Sequence, residues 1–209
     1  MASEDRPNAL LIDFGGVLTS SVPDSFDAFG RSVGLPPGAF VSLLHEDEQA
    51  GRLFVGFEQG RSEEAAFERA FVERIEDFYG VEVEPSGFVK GLSAALEPDP
   101  AMIDVVQRVR AAGTPVAIVS NSFGYDAYEG YAIHELADEV VISGEVGVRK
   151  PSRRIFLHAL QRLALPAEGC LFVDDLELNL SGAERLGIGV FHHRESPATV
   201  AYLKRSFAL

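Results

Sequence analysis

Side chains that can do chemistry occur at four places in the chain, at the ends of short apolar runs or on the loops that follow them. They are Asp13, Ser120 with Asn121, Lys150, and Asp174 with Asp175. Together they provide a carboxylate nucleophile, a hydroxyl, a cation and an acidic pair. Carboxylates crowded together repel one another, and oxygen-only ligands of this kind suit Mg²⁺. A phosphoryl group needs the same set, because a metal, a lysine, a hydroxyl and backbone amides neutralise its oxygens.

The glycine-rich stretch after the first apolar run positions Asp13. Residues Ala9 to Ile12 predict a buried strand, and Asp13 follows at its carboxyl end, where open α/β sheets bind ligands. Gly15 and Gly16 permit a tight turn and let backbone N–H groups come close to an anion. The tripeptide from Asp13 to Gly15 also occurs in protein kinases, but no HRD loop or glycine-rich nucleotide loop precedes it. The stretch therefore indicates a carboxylate directed at an anionic substrate.

The composition limits the classes of protein and partner. The chain has 209 residues, 46% of them hydrophobic, which suits one medium domain or one domain with an insertion. Its net charge of -14 argues against nucleic acid and anionic membranes as partners. A single cysteine, Cys170, excludes an intramolecular disulfide, and no signal-peptide pattern or membrane-length apolar run is visible, so we expect a cytoplasmic protein. No interface patch is visible, which leaves the oligomeric state open.

The second half of the chain alternates between helix and strand patterns. Asp99 is a predicted N-cap, Pro100 fits the first helical position, and Gly113 ends that helix. Such alternation predicts a parallel sheet with helices on both faces. The predicted strands are 116–119, 140–142, 171–173 and 188–191, and the predicted later helices are 125–136, one capped by Ser152, 178–186 and 197–207.

Between the first strand and this alternating region the pattern is helical. One predicted helix has Ser62 as its N-cap and ends at Gly80. Its apolar face consists of Phe67, Phe71, Ile75 and Phe78. The predicted fold class is therefore α/β, a doubly wound, Rossmann-like parallel sheet of residues 1–20 and 97–209. A small alpha-helical cap, residues 21–96, is inserted after the first strand.

The four clusters resemble, in order, the four motifs of the haloacid dehalogenase superfamily of hydrolases. The matching segments are Asp13-Phe14-Gly15-Gly16-Val17-Leu18, Val116 to Asn121, Gly147 to Pro151 with Ile155-Phe156, and Phe172 to Asp175 with Asn179, Ala183 and Gly187. The resemblance covers residues 8–20 and 98–192. It implies the α/β core of that superfamily, and the helical insertion lies where its members carry an alpha-helical cap.

The resemblance also implies roles for individual residues. Asp13 would attack phosphorus and become an aspartyl-phosphate, so that hydrolysis takes two displacements. Ser120 and Lys150 would bind phosphoryl oxygens. The substrate would be contacted or oriented by Phe14, Gly15 and Asn121. The ligands of Mg²⁺ would be the Asp13 carboxylate, the Gly15 carbonyl, Asp174 and Asp175. Asn179 would support these ligands without binding the ion itself.

One position departs from the family pattern. Most phosphatases of the superfamily have a second Asp two residues after the nucleophile, which protonates the leaving group, and this chain has Gly15 there. Such general acid–base help contributes ~10²–10⁴-fold. We therefore predict a Mg²⁺-dependent phosphatase for a small phosphorylated metabolite with an activated leaving group, for example a sugar phosphate, or one with a proton donor from the cap. The donors that the sequence offers are His45, Glu46 and Asp47.

Three other functions stay open. A 2-haloacid dehalogenase shares the nucleophile and the fold but needs no metal, and the pair Asp174-Asp175 argues against it. A catalytically weak binding or regulatory protein fits the missing acid, although it leaves the retention of Asp13 and Lys150 unexplained. Phosphoryl transfer between substrates, as in a mutase, usually needs the absent Asp.

Overall fold

A computed structural model of the chain describes residues 6–122, 124 and 126–209. The strands are β1 (Ala9–Ile12), β2 (Val116–Ser120), β3 (Glu139–Ile142), β4 (Cys170–Asp174) and β5 (Gly189–His192). The helices are α1 (Val22–Ser32), α2 (Ala39–Glu46), α3 (Glu48–Glu58), α4 (Glu64–Tyr79), α5 (Phe88–Ser93), α6 (Pro100–Ala111), α7 (Ile133–Leu136), α8 (Ser143–Val146), α9 (Arg153–Leu163), α10 (Glu177–Glu184) and α11 (Ser196–Ser206). Within those ranges, no helix combines the length and the hydropathy that a membrane crossing needs.

The strands form a parallel sheet with the order β3-β2-β1-β4-β5 in the described part of the chain. β1 lies at the centre and pairs with β2 on one side and with β4 on the other. Because these strands are parallel, their carboxyl ends meet at one edge, and Asp13, Ser120 and Asp174 lie there. The predicted doubly wound α/β fold is confirmed.

Alternate residues of β1 pack into different hydrophobic clusters. Leu10 and Ile12 join the cluster under α6, α7 and α11, whereas Ala9 and Leu11 join the cluster under α9 and α10. All four side chains are fully buried. A strand covered on both faces has this pattern, and burial on both sides fixes where its carboxyl end delivers Asp13.

Helices α1 to α5, here called the cap, enclose a third hydrophobic cluster that is rich in phenylalanine. The rings of Phe57 and Phe67 stack in it with centroids 4.2 Å apart. The two segments that connect the cap to the sheet run side by side, since Thr19 and Pro98 form an antiparallel bridge. The exact division of the chain at residues 20 and 97 stays a prediction.

The cap touches the core at a pair of glycines. Gly60 has a φ of +67°, and a Cβ on it would lie only 2.2 Å from the carbonyl oxygen of Gly144 in α8. Beside this contact, the hydroxyl of Ser143 donates a hydrogen bond to the backbone carbonyl of Glu58. The end of α3 is therefore held directly against the carboxyl end of β3.

The prediction of one continuous helix over residues 125–136 is wrong for the described residues of that range. A 3₁₀ turn covers Asp126–Tyr128, and α7 begins only at Ile133. Between them Gly130 and Ala132 have φ values of +81° and +48°, which a continuous right-handed helix does not accommodate. Tyr125, where the helix was predicted to begin, lies outside the described residues.

Two details of the α4 prediction are also wrong. The helix begins after Glu63 rather than after Ser62, and Glu63 makes no side-chain capping hydrogen bond. Phe78 is 40% exposed and its ring packs edge-on against Tyr79, so it does not join the buried face. The predicted stop at Gly80 is confirmed, with a φ of +67°.

Candidate active site

The carboxyl edge of the sheet holds a buried ion network around Lys150. Its ammonium Nζ lies 2.7 Å from Asp13 Oδ1 and 2.8 Å from Asp174 Oδ2. Lys150 is 1% exposed, and both carboxylates are buried. Burial alone would lower the pKa of Lys150, but the two carboxylates outweigh it and raise that pKa. Lys150 is therefore a permanent cation shared between two acidic side chains.

Asp174 is held in place from several sides. The side-chain amide of Asn179 donates to both Asp174 oxygens, at 3.0 and 3.1 Å. The backbone N–H of Leu176, just before α10, donates to Oδ1 at 2.8 Å. Together with Lys150, these donors fix the orientation of the Asp174 carboxylate. Asn179 thus lies behind the acidic residues, as expected.

Three carboxylates converge at this edge. Asp13, Asp174 and Asp175 each place an oxygen within 4.8 Å of the others. Burial raises the pKa of Asp13 well above its usual range against the opposing effect of Lys150, and burial with the neighbouring Asp174 raises the pKa of Asp175 to about 6. One ammonium does not compensate three carboxylates in a buried place, whereas a hard divalent cation with oxygen ligands would. The donor set therefore fits Mg²⁺.

The turn after β1 shows why two glycines follow Asp13 so closely. Gly16 has a φ of +79°, and a Cβ on it would lie 2.5 Å from Asp175 Oδ2. A Cβ on Gly15 would lie 2.8 Å from a methyl group of Val22, the first residue of α1. The space in which a side chain at position 15 would begin is thus occupied by Val22.

Ser120, at the end of β2, is paired with a tyrosine. Its Oγ lies 2.9 Å from the hydroxyl of Tyr128, whose ring packs against Phe14 with centroids 4.9 Å apart. Burial raises the pKa of the Tyr128 hydroxyl, which keeps it neutral. Tyr128 is not among the predicted site residues. The sequence predicts a continuous helix there, whereas the observed turn brings Tyr128 back to β2.

Asn121 binds the loop that carries Lys150. Its side-chain oxygen accepts a hydrogen bond from the Lys150 backbone N–H at 2.8 Å, and its amide donates to the Lys150 carbonyl at 3.3 Å. These bonds position Lys150. The predicted contact of Asn121 with a substrate stays a prediction.

A cavity of about 410 Å³ lies between this edge of the sheet and the cap, large enough for a small molecule. Its floor includes Asp13, Phe14, Gly15, Ser120, Asn121, Tyr128, Lys150 and Asp175. The cap contributes Val22, Pro23, Phe26, Val41, Leu44, His45, Phe54 and Glu58 as the roof. The predicted site residues other than the fully buried Asp174 therefore line one cavity.

The predicted proton donors of the cap have different positions. His45 lines the cavity, with its Nδ1 3.1 Å from the carbonyl of Val41. Glu46 is exposed and is not among the lining residues. Asp47 caps α3 and pairs with Arg74, which holds the pKa of Asp47 below its usual value. Asp47 is therefore a structural anion rather than a proton donor.

Glu58 is an acidic residue of the cavity that the sequence analysis missed. It is the last residue of α3, is 4% exposed and lies near Arg149 of the core. Burial raises the pKa of Glu58 to about 7, although Arg149 and Lys150 act in the opposite direction. A glutamate at a helix end is ordinarily solvated, so the local sequence carries no signal of this burial.

The fold and the ion network are those of a hydrolase family with an aspartate after the first strand. The family model described as haloacid dehalogenase-like hydrolase matches residues 7–187, from the start of β1 through the cap to the end of the fourth motif. The chain belongs to this family, as its motifs predicted.

Similar proteins include hydrolases of two kinds. The chain is 34% identical over 99 residues to a glyceraldehyde 3-phosphate phosphatase of Methanopyrus kandleri, covering 46% of the chain and 42% of that protein. It is 31% identical over 98 residues to an (S)-2-haloacid dehalogenase of Pseudomonas putida, covering 46% and 43%. A longer match, 28% over 184 residues, covers 86% of the chain but 17% of the acyl-CoA dehydrogenase family member 10 of Mus musculus. The chain spans less than half the length of each of these relatives.

Solved structures share the fold at low sequence identity. A HAD-like family hydrolase from Porphyromonas gingivalis superposes with a TM-score of 0.71 at 23% identity, covering 97% of the chain and 99% of that structure. A HAD family enzyme from Bacteroides thetaiotaomicron, in complex with magnesium and inorganic phosphate, gives a TM-score of 0.62 at 20% identity, covering 89% and 93%. At these identities the likeness concerns the fold.

Proposed function

We propose that this hydrolase is a Mg²⁺-dependent phosphatase that cleaves a small phosphate monoester through an aspartyl-phosphate on Asp13. The observation that carries the proposal is the buried contact of Asp13 with Lys150 beside Asp174 and Asp175. A carboxylate attacks an anionic phosphoryl group only where positive charge offsets their repulsion. This network holds one fixed cation and an oxygen donor set for a second.

The side chains of the floor have distinct tasks in this reaction. Lys150 and Ser120 bind phosphoryl oxygens, with Asn121 and Asp174 positioning Lys150 and Tyr128 positioning Ser120. Asp13 attacks phosphorus as the bond to the leaving oxygen breaks, and water then releases phosphate from Asp13.

Magnesium would be held at the same edge. Asp13, the Gly15 carbonyl and Asp175 would bind it, with Asp174 adjacent, and the ion supplies neutralising charge to the phosphoryl oxygens. The Bacteroides thetaiotaomicron structure, which contains magnesium and phosphate, supports this assignment. The Methanopyrus kandleri relative, which is a phosphatase, supports the proposed reaction.

Dehalogenation of a 2-haloacid is the second candidate, because a dehalogenase is among the relatives at 31% identity. Its substrate is itself a carboxylate, however, and three carboxylates without a bound metal would repel it. The acidic residues therefore favour the phosphatase.

Phosphate release tests the proposal directly. We would assay sugar, nucleotide, acyl, alkyl and aryl phosphates with Mg²⁺ and with EDTA, using the wild type and Asp13→Asn. We expect Mg²⁺-dependent release from at least one class and a loss of at least about 10³-fold in Asp13→Asn. Metal-independent chloride release from 2-chloropropionate would instead identify a dehalogenase, and no turnover of either kind would favour a regulatory protein.

A further inference from the structure

The leaving group of the proposed reaction faces the cap. In an in-line displacement at phosphorus, the leaving oxygen departs on the side opposite to the nucleophile. Asp13 attacks from the sheet edge, so the opposite side is the roof of the cavity. The core offers no acid from position 15, where Gly15 packs against Val22. A proton donor for this oxygen must therefore come from the roof.

Glu58 is a buried carboxyl group that the cap contributes to this cavity. It lines the same cavity as Asp13 and Lys150 and is 4% exposed. Its Oε2 lies 2.7 Å from Arg149 Nε, but the two atoms are not aligned for a hydrogen bond, and among the described residues Oε2 has no hydrogen-bond partner. A buried carboxyl oxygen without a hydrogen bond is costly to maintain, and a ligand oxygen in the cavity would satisfy it by sharing a proton with it.

The backbone around Glu58 is fixed relative to the core. The hydroxyl of Ser143 donates to the Glu58 carbonyl and accepts from the N–H of Ser122 at 2.7 Å. Arg149, which faces the Glu58 carboxyl, directly precedes Lys150 in the chain. The carboxyl group is thus tied to the same two loops that carry the phosphate-binding side chains of the floor.

The charge state of Glu58 suits proton transfer. The ionisable groups that face it are Arg149 and Lys150, which stabilise the carboxylate, and the hydroxyl of Tyr128. Burial outweighs the two cations and raises the pKa of Glu58 to about 7. Near neutral pH both protonation states are then populated, which a group that first gives and later takes a proton requires.

We propose that Glu58 is the general acid and base of this hydrolase, in place of the aspartate that position 15 lacks; this rests on the proposed phosphatase function. In the first step, the carboxyl proton of Glu58 passes to the leaving oxygen while the bond from phosphorus to that oxygen breaks and Asp13 bonds to phosphorus. In the second, the Glu58 carboxylate takes a proton from the attacking water as the bond between Asp13 and phosphorus breaks. Phosphate leaves, and both side chains return to their starting states.

Leaving-group dependence tests this role. Benzyl phosphate releases a strongly basic alkoxide that needs protonation, whereas p-nitrophenyl phosphate releases a stable phenolate that does not. For Glu58→Gln we expect kcat/KM, which reports the step that releases the leaving group, to fall by about 10²–10³-fold on benzyl phosphate and by less than about 10-fold on p-nitrophenyl phosphate. For the wild type we also expect kcat/KM on benzyl phosphate to decline above about pH 7, where Glu58 loses its proton. This decline should be absent in Glu58→Gln. Glu48→Gln, an exposed glutamate at the other end of α3, is the matched control and should behave as wild type.

Equal losses of kcat/KM on both substrates in a folded Glu58→Gln protein would overturn the proposal, because they would indicate a positioning role. An unchanged rate and pH profile on benzyl phosphate would overturn it as well. These results are distinct from failure of the phosphatase function, in which the wild type releases phosphate from neither compound and Asp13→Asn changes nothing.

The walls on the leaving-group side of the cavity are mostly apolar. Of the eight cap residues that line it, Glu58 and His45 are polar and the rest are aliphatic, aromatic or proline. Val41 and Leu176 line the cavity and are still 47% and 54% exposed, so they place apolar surface at its mouth. The hydroxyls of a sugar would find few partners here, and burying them unpaired costs binding free energy.

From these walls we infer, again on the basis of the proposed phosphatase function, that the organic part of the substrate is apolar, such as an alkyl, prenyl or aryl group. This differs from the sugar phosphate that the sequence analysis gave as an example. We expect kcat/KM for benzyl and dimethylallyl phosphates to exceed that for glucose 6-phosphate and glycerol 3-phosphate by at least about 10-fold. Leu44→Asn, a change in the roof, should reduce this ratio. Preferential hydrolysis of the sugar phosphates would overturn the inference while leaving the phosphatase function intact.

Discussion

The floor and the roof of the cavity differ in how their polar groups are satisfied. On the floor, Lys150 lies within 2.8 Å of two carboxylates, and Asn179 completes the bonding of Asp174. On the roof, the other lining side chains are mostly apolar, and Glu58 is a buried carboxyl group that lies beside Arg149 but has an oxygen without a hydrogen-bond partner among the described residues. In the proposed function, the floor is therefore pre-organised for the one group that is constant, the phosphoryl group. In the same proposed function, the roof would accommodate the leaving group, which varies between substrates, and would supply the proton that the leaving group needs.

The largest effect is expected when the cation is removed from the floor. Lys150→Met keeps an extended apolar side chain but leaves Asp13 and Asp174 buried without their ammonium partner. We expect a loss of about 3–5 kcal/mol in the free energy of unfolding at pH 7, together with loss of turnover. Urea denaturation measures the first effect, with Lys90→Met, an exposed lysine of α5, as the control. A loss below about 1 kcal/mol would show that the floor does not depend on this ion network.

A smaller and opposite effect is expected on the roof. The pKa of Glu58 is raised to about 7 in the folded protein, so the unfolded chain loses this proton first as the pH rises from about 4.5. Stability is then full below about pH 4.5 and decreases as the pH rises to about 7. Glu58→Gln should therefore raise the free energy of unfolding by about 2–3 kcal/mol at pH 8.5 and leave it nearly unchanged at pH 4. Urea denaturation at the two pH values measures this, and an equal difference at both would contradict the buried ionisation.

The smallest effect is predicted for moving the acidic group from position 58 on the roof to position 15 on the floor. Gly15→Asp alone should give little gain, because its Cβ would meet Val22 at 2.8 Å. In a Glu58→Gln background, Gly15→Asp combined with Val22→Ala should restore hydrolysis of benzyl phosphate by about 10-fold, measured as kcat. The triple variant is compared with Glu58→Gln, Val22→Ala, which makes room without adding an acid. No difference between the two would argue that proton donation does not limit this enzyme.

Most of the floor could be predicted from the sequence because its carboxylates and Ser120 stand at the carboxyl ends of buried strands. Once the apolar runs before Asp13, Ser120 and Asp174 are assigned to parallel neighbouring strands, their convergence follows from the geometry of the sheet. Lys150 lies on a loop, but the glycine, proline and apolar residues around it make its segment recognisable. These signals are local, so one sequence is enough to find them.

The roof could not be predicted in the same way. Glu58 and Arg149 are 91 positions apart in the sequence, and the burial of Glu58 depends on how α3 meets α8, which no local pattern specifies. Tyr128 was missed because positive φ values at Gly130 and Ala132 interrupt an otherwise helical pattern. Phe78 has the spacing of a buried residue but lies beyond the edge of the cluster that covers Phe71 and Ile75. The errors at Glu58 and Phe78 thus concern packing between segments, whereas the error at Tyr128, a residue of the floor, concerns the local backbone.

The contact between Gly60 and Gly144 has a consequence for the evolution of the cavity. Since a single methyl group on Gly60 would overlap the carbonyl of Gly144, the end of α3 can lie this close to α8 only because position 60 has no side chain. We expect a side chain at position 60 to push the end of α3 away from α8 and so to change the cavity without altering any residue that lines it. Substrate range in this enzyme can therefore shift through spacing alone, while the reactive groups stay the same.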